Sequence, residues 1–157
     1  MEDEILTKKS DASRLLKEIS RFLATKDIPA FIVGGFVRDT LLGRATADID
    51  IAVDDDALEI ASKAATAFDG KFVPLDDVNL IGRVILPEGK WQIDFTAFKG
   101  DILEDLARRD FTIDAMALEL DKDIAAGFSI KNIIDPFKGH TDLRRRAVKA
   151  VNDDIFR

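Results

Sequence analysis

The sequence of 157 residues contains no cysteine and a single histidine, His140. Without cysteine there is neither a disulfide framework nor a metal site built from thiolates. One histidine cannot form a histidine-rich metal cluster, so we expect His140 to lie at the surface or to cap a helix. Both absences exclude metal sites that depend on sulfur or on clustered imidazole ligands.

Long apolar stretches are also missing. No run approaches the ~18–20 apolar residues of a membrane span, and the N-terminal segment MEDEILTKKS is acidic and polar, unlike a signal peptide. We therefore expect a cytoplasmic protein with no membrane partner. With 46% hydrophobic residues, a chain of this length has room for one domain with a real core.

An excess of basic charge, typical of proteins that grip nucleic acid, is absent as well. The formal net charge is −7, whereas binding a phosphate backbone needs clustered lysine and arginine. Arg144–Arg146 is the one basic run. It could touch RNA, but a solvated helix end or a contact between domains is the simpler interpretation. Any long RNA would be held mostly by something other than this chain.

A glycine pair stands out in the segment 31–53. Gly34 and Gly35 lie between an apolar run and a short helical pattern. Two consecutive backbone N–H groups that open onto a helix N-terminus can bind phosphate. Arg38, one turn further on, adds a guanidinium able to bind phosphate through two hydrogen bonds. We therefore predict a nucleotide-binding role for Gly34, Gly35 and Arg38.

Two carboxylates follow the glycine pair. Asp48 and Asp50 alternate with the aliphatic residues Ile49, Ile51 and Val53. A strand would place both carboxylates on one face and the aliphatic side chains on the other. This arrangement supplies half of a metal site.

A third carboxylate, Asp94, occupies the second strand of a predicted hairpin. The strands are expected near residues 80–86 and 91–98, joined by the turn at residues 87–90. Alternation with Ile93 and Phe95 places Asp94 on the face opposite the aliphatic residues. If this strand lies beside residues 48–53, Asp94 joins the metal site; otherwise Asp94 faces solvent.

The run Asp54–Asp56 offers further carboxylates, but a structural role is favoured. Asp56 as N-cap with Glu59 three residues later resembles a capping box. We expect it to open a helix whose apolar residues face the core.

Four motifs in order give the sequence a recognisable family likeness. They are GG-x-V-R-D-x-LLG, the D-x-D of Asp48 and Asp50, a match to RRDFTINA at residues 108–115, and a match to DPF-x-G-x-x-DL at residues 135–143. From Ala30 onward the sequence resembles the head domain of the tRNA nucleotidyltransferase (CCA-adding) and bacterial poly(A) polymerase superfamily.

The resemblance implies a fold and a domain organisation. The fold is an α/β (α+β) nucleotidyltransferase head, with a mixed, largely antiparallel sheet of about five strands, helices on one face and the carboxylates on the other. We expect one head domain over residues 1–157. It comprises an N-terminal helix (1–28, with helical periodicity from about Asp11 to Thr25), a catalytic core (29–150) and the start of a neck (151–157). The helical neck, body and tail domains would be absent.

The same resemblance implies a template-independent RNA nucleotidyltransferase. It would transfer CMP or AMP from CTP or ATP to the 3′ end of tRNA and release pyrophosphate, with Mg²⁺ as cofactor and with tRNA held mostly by the missing domains. The isolated chain would have low activity. Its site would contain the catalytic residues Asp48, Asp50 and Asp94, the metal ligands Asp48 and Asp50, and the nucleotide-binding residues Gly34, Gly35, Arg38 and Arg109.

Several activities share these motifs. Partial addition (A only or CC only) and poly(A) tailing remain alternatives within the superfamily. A nucleotidyltransferase acting on a protein or small molecule is a further possibility. From another class, a non-catalytic nucleotide-binding domain would keep the fold, but such a domain has no need for a costly cluster of like charges.

Arg109 has two interpretations. The spacing from Asp105 to Arg109 is typical of a weak ion pair on a solvated helix. The resemblance instead assigns Arg109 to the triphosphate.

Asp114 departs from the family pattern, which usually has asparagine there. An ionised carboxylate only accepts hydrogen bonds, whereas an amide also donates them. Near a triphosphate, the extra negative charge of Asp114 would be unfavourable unless a metal or an arginine offset it.

Overall fold

The structure is a computed structural model that describes residues 2–76, 78, 80–98, 100–120 and 130–152. The elements in chain order are α1 (Glu2–Ala24), β1 (Ala30–Val33), α2 (Gly35–Leu41), β2 (Asp48–Val53), α3 (Ala57–Ala67), β3 (Lys71–Asp76), β4 (Ile81–Ile85), β5 (Gln92–Ala97), α4 (Ile102–Ala107), β6 (Ala117–Glu119), β7 (Ile133–Ile134) and α5 (Gly139–Arg144). Short 3-10 turns span Pro87–Gly89, Thr112–Asp114 and Ile130–Asn132.

The strands form one sheet in the order β3-β4-β5-β2-β1-β6-β7. Among the described strands, every neighbouring pair is antiparallel except β2 and β5, which run parallel. The predicted mixed, largely antiparallel sheet is confirmed, but it has seven strands rather than about five. The edge strand β7 contains only two residues, too few for an alternating pattern to establish it.

One face of the sheet carries the larger apolar core. There α1 contributes Leu16 and Ile19 and α3 contributes Ala61, packed against residues such as Ile51 and Phe95 of the central strands. The side-chain alternation of β2 and β5 explains this, because apolar residues at every second position, among them Ile51 and Phe95, point to the same face.

The opposite face is covered at one end by α4. Ile102 and Leu106 of this helix pack with Val33 and Ala52 in a second, smaller core. The expectation of helices on one face therefore describes α1 and α3, while α4 lies on the face that carries the carboxylates. α4 does not cover the end of β2 that carries Asp48 and Asp50. This end is accessible to solvent, since Asp48 is exposed and Asp50 is only partly buried.

The acidic run at residues 54–56 has the predicted capping role. Asp56 Oδ1 accepts hydrogen bonds from the backbone N–H groups of Leu58 (3.1 Å) and Glu59 (3.2 Å). The Glu59 side chain pairs instead with Lys63, at 2.8 Å, so only half of a capping box forms.

The N-terminal helix begins at Glu2, earlier than the expected Asp11. None of the helices in the described ranges has both the length and the apolar character that crossing a membrane requires. Of the predicted start of a neck at 151–157, residues 153–157 lie outside the described residues, and the proposed domain division stays a prediction.

Candidate active site

Pairing between β2 and β5 brings two carboxylates side by side. In the parallel register, Asp50 lies opposite Asp94 and Asp48 lies opposite Gln92. The strand of Asp94 therefore does lie beside the strand of Asp48 and Asp50, which was the condition for a third carboxylate. Three acidic side chains thus share one face at the centre of the sheet.

Burial and like charge both act on Asp50. Burial, together with the negative charges of Asp94 and Asp48, raises the pKa of Asp50 to about 6, while Arg109 and Arg83 pull in the opposite direction. A cation beside Asp50 would favour its ionised form.

Asp94 differs from its neighbours because an arginine holds both of its oxygens. Arg83 lies opposite Asp94 in the β4–β5 register. Its Nε donates to Oδ1 at 2.9 Å and its Nη2 donates to Oδ2 at 3.1 Å. Sequence reasoning missed Arg83, because only the hairpin register shows that it faces Asp94. In the described part of the chain, no three histidine, cysteine or acidic residues are grouped so as to hold a metal ion.

The glycine pair lies between β1 and α2. Gly34 has φ +69° and ψ −136°, a backbone conformation that residues with a Cβ rarely adopt. Its N–H donates to the carbonyl oxygen of Met116 at 3.4 Å, so this group is engaged within the fold. A Cβ at Gly34 would lie 3.3 Å from Arg109 Nη1 and 3.5 Å from Asp50 Oδ2. The missing side chain therefore leaves space between a cation and a carboxylate.

We predict that Gly34→Ala impairs nucleotide binding in addition to lowering stability. The added Cβ would lie within 3.3 Å of Arg109 Nη1 and so crowd that guanidinium, and the backbone conformation of Gly34 costs a residue with a Cβ about 1–3 kcal/mol. Affinity for Mg-ATP, measured by calorimetry, should fall about tenfold or more. Gly43→Ala is the matched control, because Gly43 also has a positive φ (+68°) but its Cβ would meet no atom within 4 Å. Equal nucleotide affinities for the two variants would contradict the prediction.

Arg109 follows the end of α4 and points towards the carboxylates. Its Nη2 donates to Asp105 Oδ2 at 3.1 Å, as the spacing predicted. Its Nη1 lies next to Gly34, and its Nε is buried without a hydrogen-bond partner among the described residues. The two interpretations of Arg109 are thus compatible: the ion pair with Asp105 orients a side chain that also reaches the glycine pair.

Arg38 lies on the other side of the glycine pair. A Cβ at Gly35 would lie 3.2 Å from Arg38 Nη2, so the guanidinium lies against this glycine. Nη1 donates to Asp114 Oδ1 at 2.7 Å, and Nε donates to Asp39 Oδ1 at 3.2 Å. An arginine therefore offsets the negative charge of Asp114.

The histidine and the basic run singled out in the sequence lie in or beside α5. Asp135 caps this helix, since its carboxylate accepts hydrogen bonds from the backbone N–H groups of Gly139 (2.7 Å) and His140 (3.0 Å). His140 is thus part of a helix start. Arg144–Arg146 are exposed at the end of α5, as expected for a solvated helix end.

Comparison with known proteins gives consistent matches. The family model described as "Poly A polymerase head domain" matches residues 30–102 and 88–149. A CC-adding tRNA nucleotidyltransferase of Geobacter sulfurreducens is 37% identical over 128 residues, which are 81% of this chain and 28% of that protein. An A-adding tRNA nucleotidyltransferase of Deinococcus radiodurans is also 37% identical over 128 residues, covering 82% of this chain and 27% of that protein.

Solved structures agree with the sequence matches. The CCA-adding enzyme of Thermotoga maritima complexed with tRNA superposes with a TM-score of 0.76 at 34% identity, over 96% of this chain and 35% of that one. A CCA-adding enzyme complexed with ATP gives a TM-score of 0.77 at 33% identity, over 95% of this chain and 36% of that one. The chain thus spans about a third of the length of these relatives.

Proposed function

Since the chain belongs to the poly A polymerase head domain family, we propose that it is the nucleotide-transferring domain of a tRNA nucleotidyltransferase. The reaction is transfer of CMP or AMP from CTP or ATP to the 3′ end of tRNA, with release of pyrophosphate. One observation carries the proposal: Asp50 lies beside Asp94, with Asp48 on the same strand and with Gly34 and Arg109 next to Asp50. Acidic, glycine and cationic groups from separate segments meet at one point.

The donor set suits Mg²⁺. Magnesium is usually held by one or two carboxylates together with substrate phosphates, and Asp48 and Asp50 offer two carboxylates, one of them exposed to incoming ligand. We therefore propose Asp48 and Asp50 as the magnesium ligands. When bound, the metal would activate the RNA 3′-hydroxyl and neutralise charge on the triphosphate.

The two arginines near the carboxylates, Arg109 and Arg83, have different roles. Arg109 Nη1, which lies beside Gly34, can donate to the triphosphate. Arg83 holds Asp94 through two hydrogen bonds and so fixes the position of this carboxylate beside Asp50. Asp94 is then catalytic through its charge and position, and Asp48 and Asp50 bind the metal.

The product of the reaction depends on more than this domain. The relatives include both CC-adding and A-adding enzymes at equal identity to this chain, which supports partial addition as a second candidate beside CCA addition. For a tRNA-processing enzyme we propose a cytoplasmic location.

The test is an extension assay with the 157-residue chain and the complete product of its gene. Each receives tRNA lacking CCA, tRNA ending in CC, or an unstructured RNA, with Mg²⁺ and one nucleoside triphosphate at a time. We expect the complete product to extend tRNA. Completion of CCA, addition of CC or A alone, and long A tails on any RNA distinguish the three activities of the superfamily.

For the chain alone, we expect weak binding of Mg-nucleotide without strong base preference and poor extension of tRNA, because it spans about a third of the relatives' length. Tight, base-selective binding by the chain would contradict this expectation. If the complete product bound Mg-nucleotide but extended no RNA, the proposed function would be wrong, and a non-catalytic domain or another acceptor would replace it.

A further inference from the structure

Arg38 is a phosphate-binding candidate whose guanidinium is already engaged. Its Nη1 donates to Asp114 at 2.7 Å and its Nε donates to Asp39 at 3.2 Å. Two carboxylates around one guanidinium leave a net negative charge. A triphosphate that approaches Arg38 is therefore attracted by one positive charge and repelled by two negative charges.

The shorter of these contacts comes from a side chain that the fold holds in place. Asp114 ends the 3-10 turn Thr112–Asp114, and the Thr112 hydroxyl donates to the buried Asp142 at 2.6 Å. The Thr112 N–H donates to the carbonyl oxygen of Lys149 at 2.9 Å. Gly139 touches the carbonyl of Thr112 so closely that a Cβ there would overlap it. The turn that presents Asp114 is thus anchored from two sides.

The two ends of the ion pair are also fixed relative to each other. Arg38 belongs to α2, which packs through Phe36 and Val37 into the main core. Burial alone would lower the pKa of Arg38, but hydrogen bonds and charge from Asp39 and Asp114 outweigh it and raise the pKa. The Arg38–Asp114 ion pair is thus present in the chain without nucleotide.

We propose that Asp114 is a positioning residue that holds Arg38 in an ion pair and thereby weakens the domain's affinity for the triphosphate. Nucleotide binding then proceeds by exchange, as phosphate oxygens replace the carboxylate of Asp114 on the guanidinium. The proposal rests on the proposed function, since it concerns the same triphosphate site.

The decisive variant is Asp114→Asn. The asparagine oxygen still accepts a hydrogen bond from Arg38, but the negative charge is gone. Removing one charge at contact distance in a partly solvated site should raise affinity about fivefold or more. Inorganic triphosphate in EDTA and Mg-ATP are the two probes, each titrated calorimetrically into the 157-residue chain. A residue that serves only the fold would, when replaced, lower affinity and melting temperature together, so the direction of the change is informative.

Two further variants locate the effect. Asp69→Asn removes the same charge at an exposed left-handed position (φ +55°), which asparagine tolerates, and should leave both affinities unchanged. The double variant Arg38→Gln/Asp114→Asn should bind triphosphate little more tightly than Arg38→Gln alone, because Asp114 acts through Arg38.

The outcomes separate the two proposals. Tighter binding by Asp114→Asn that depends on Arg38 supports the inference. If Mg-ATP binds but Asp114→Asn binds either probe no more tightly than the wild type, the inference is overturned while the proposed function stands. If Mg-ATP and inorganic triphosphate bind to neither protein, the inference is overturned, and extension of tRNA by the complete gene product decides the proposed function.

Discussion

Replacing Asp50 with asparagine is expected to remove nucleotide transfer by the complete gene product and, at the same time, to stabilise the metal-free chain. Transfer falls because the amide is a poorer magnesium ligand and lacks the negative charge that attracts the cation. The expected loss is on the order of 10³-fold. Single-turnover extension of tRNA measures this loss. Retained transfer by Asp50→Asn would show that the metal-ligand assignment is wrong.

The same variant, Asp50→Asn, should be more stable than the wild type, because burial and the neighbouring carboxylates raise the pKa of Asp50 to about 6. Between the ordinary aspartate pKa near 4 and this value, the folded chain binds a proton that the unfolded chain does not. This group therefore lowers the free energy of unfolding as pH rises through that window, and the loss persists at pH 7. A neutral asparagine avoids a cost of about 3 kcal/mol, given the rise of the Asp50 pKa from 3.8 to about 6.

Urea unfolding of both proteins between pH 4 and 7.5 in EDTA tests this prediction. The difference between variant and wild type should be small near pH 4 and grow towards pH 7. Added Mg²⁺ should stabilise the wild type and have less effect on the variant, because a ligand stabilises the state that binds it. Asp48→Asn is the control, since it should also abolish transfer but, being exposed, should stabilise less. A constant difference across the pH range would contradict the account.

Arg109→Gln is expected to have the second-largest effect, a loss of about 10–100-fold in affinity for Mg-ATP and Mg-CTP. Hydrogen bonds to a charged group contribute about 1.5–3 kcal/mol, and Arg109 Nη1 lies at the glycine pair beside Gly34. Asp50 would also lose the arginine that contributes most to lowering its pKa. The variant should keep its fold, because Leu106 and Ile102 anchor α4.

Calorimetric titration with each nucleotide provides the measurement for Arg109→Gln. The control is Arg144→Gln, which removes the same charge from an exposed helix end and should bind normally. Comparable losses in both variants would mean that net charge, rather than the position of Arg109, governs binding.

Features that depend on local periodicity or on short motifs could be predicted from the sequence. Alternation located β2 and β5 and the faces of Asp50 and Asp94. The capping pattern identified the start of α3 at Asp56. Each of these signals lies within a few residues of the feature that it predicts.

The order of the strands could not be predicted in the same way. Alternation shows which side chains share a face, but which strand lies beside which depends on tertiary packing. Alternation therefore does not decide whether β5 lies next to β2, whereas the structure shows that it does. The same reason applies to the ion pairs of Arg83 with Asp94 and of Arg38 with Asp114, since each joins residues from different elements.

The parallel pairing of β2 with β5 also has a consequence for how the protein folds. The α1 helix and the β4–β5 hairpin are made from local contacts. The strand β2 can pair with β5 only after the chain between them, which contains α3, β3 and β4, has closed into a loop. Loop closure of this kind costs entropy and slows folding. Asp50 and Asp94 therefore come together, and repel each other, only once this loop has closed.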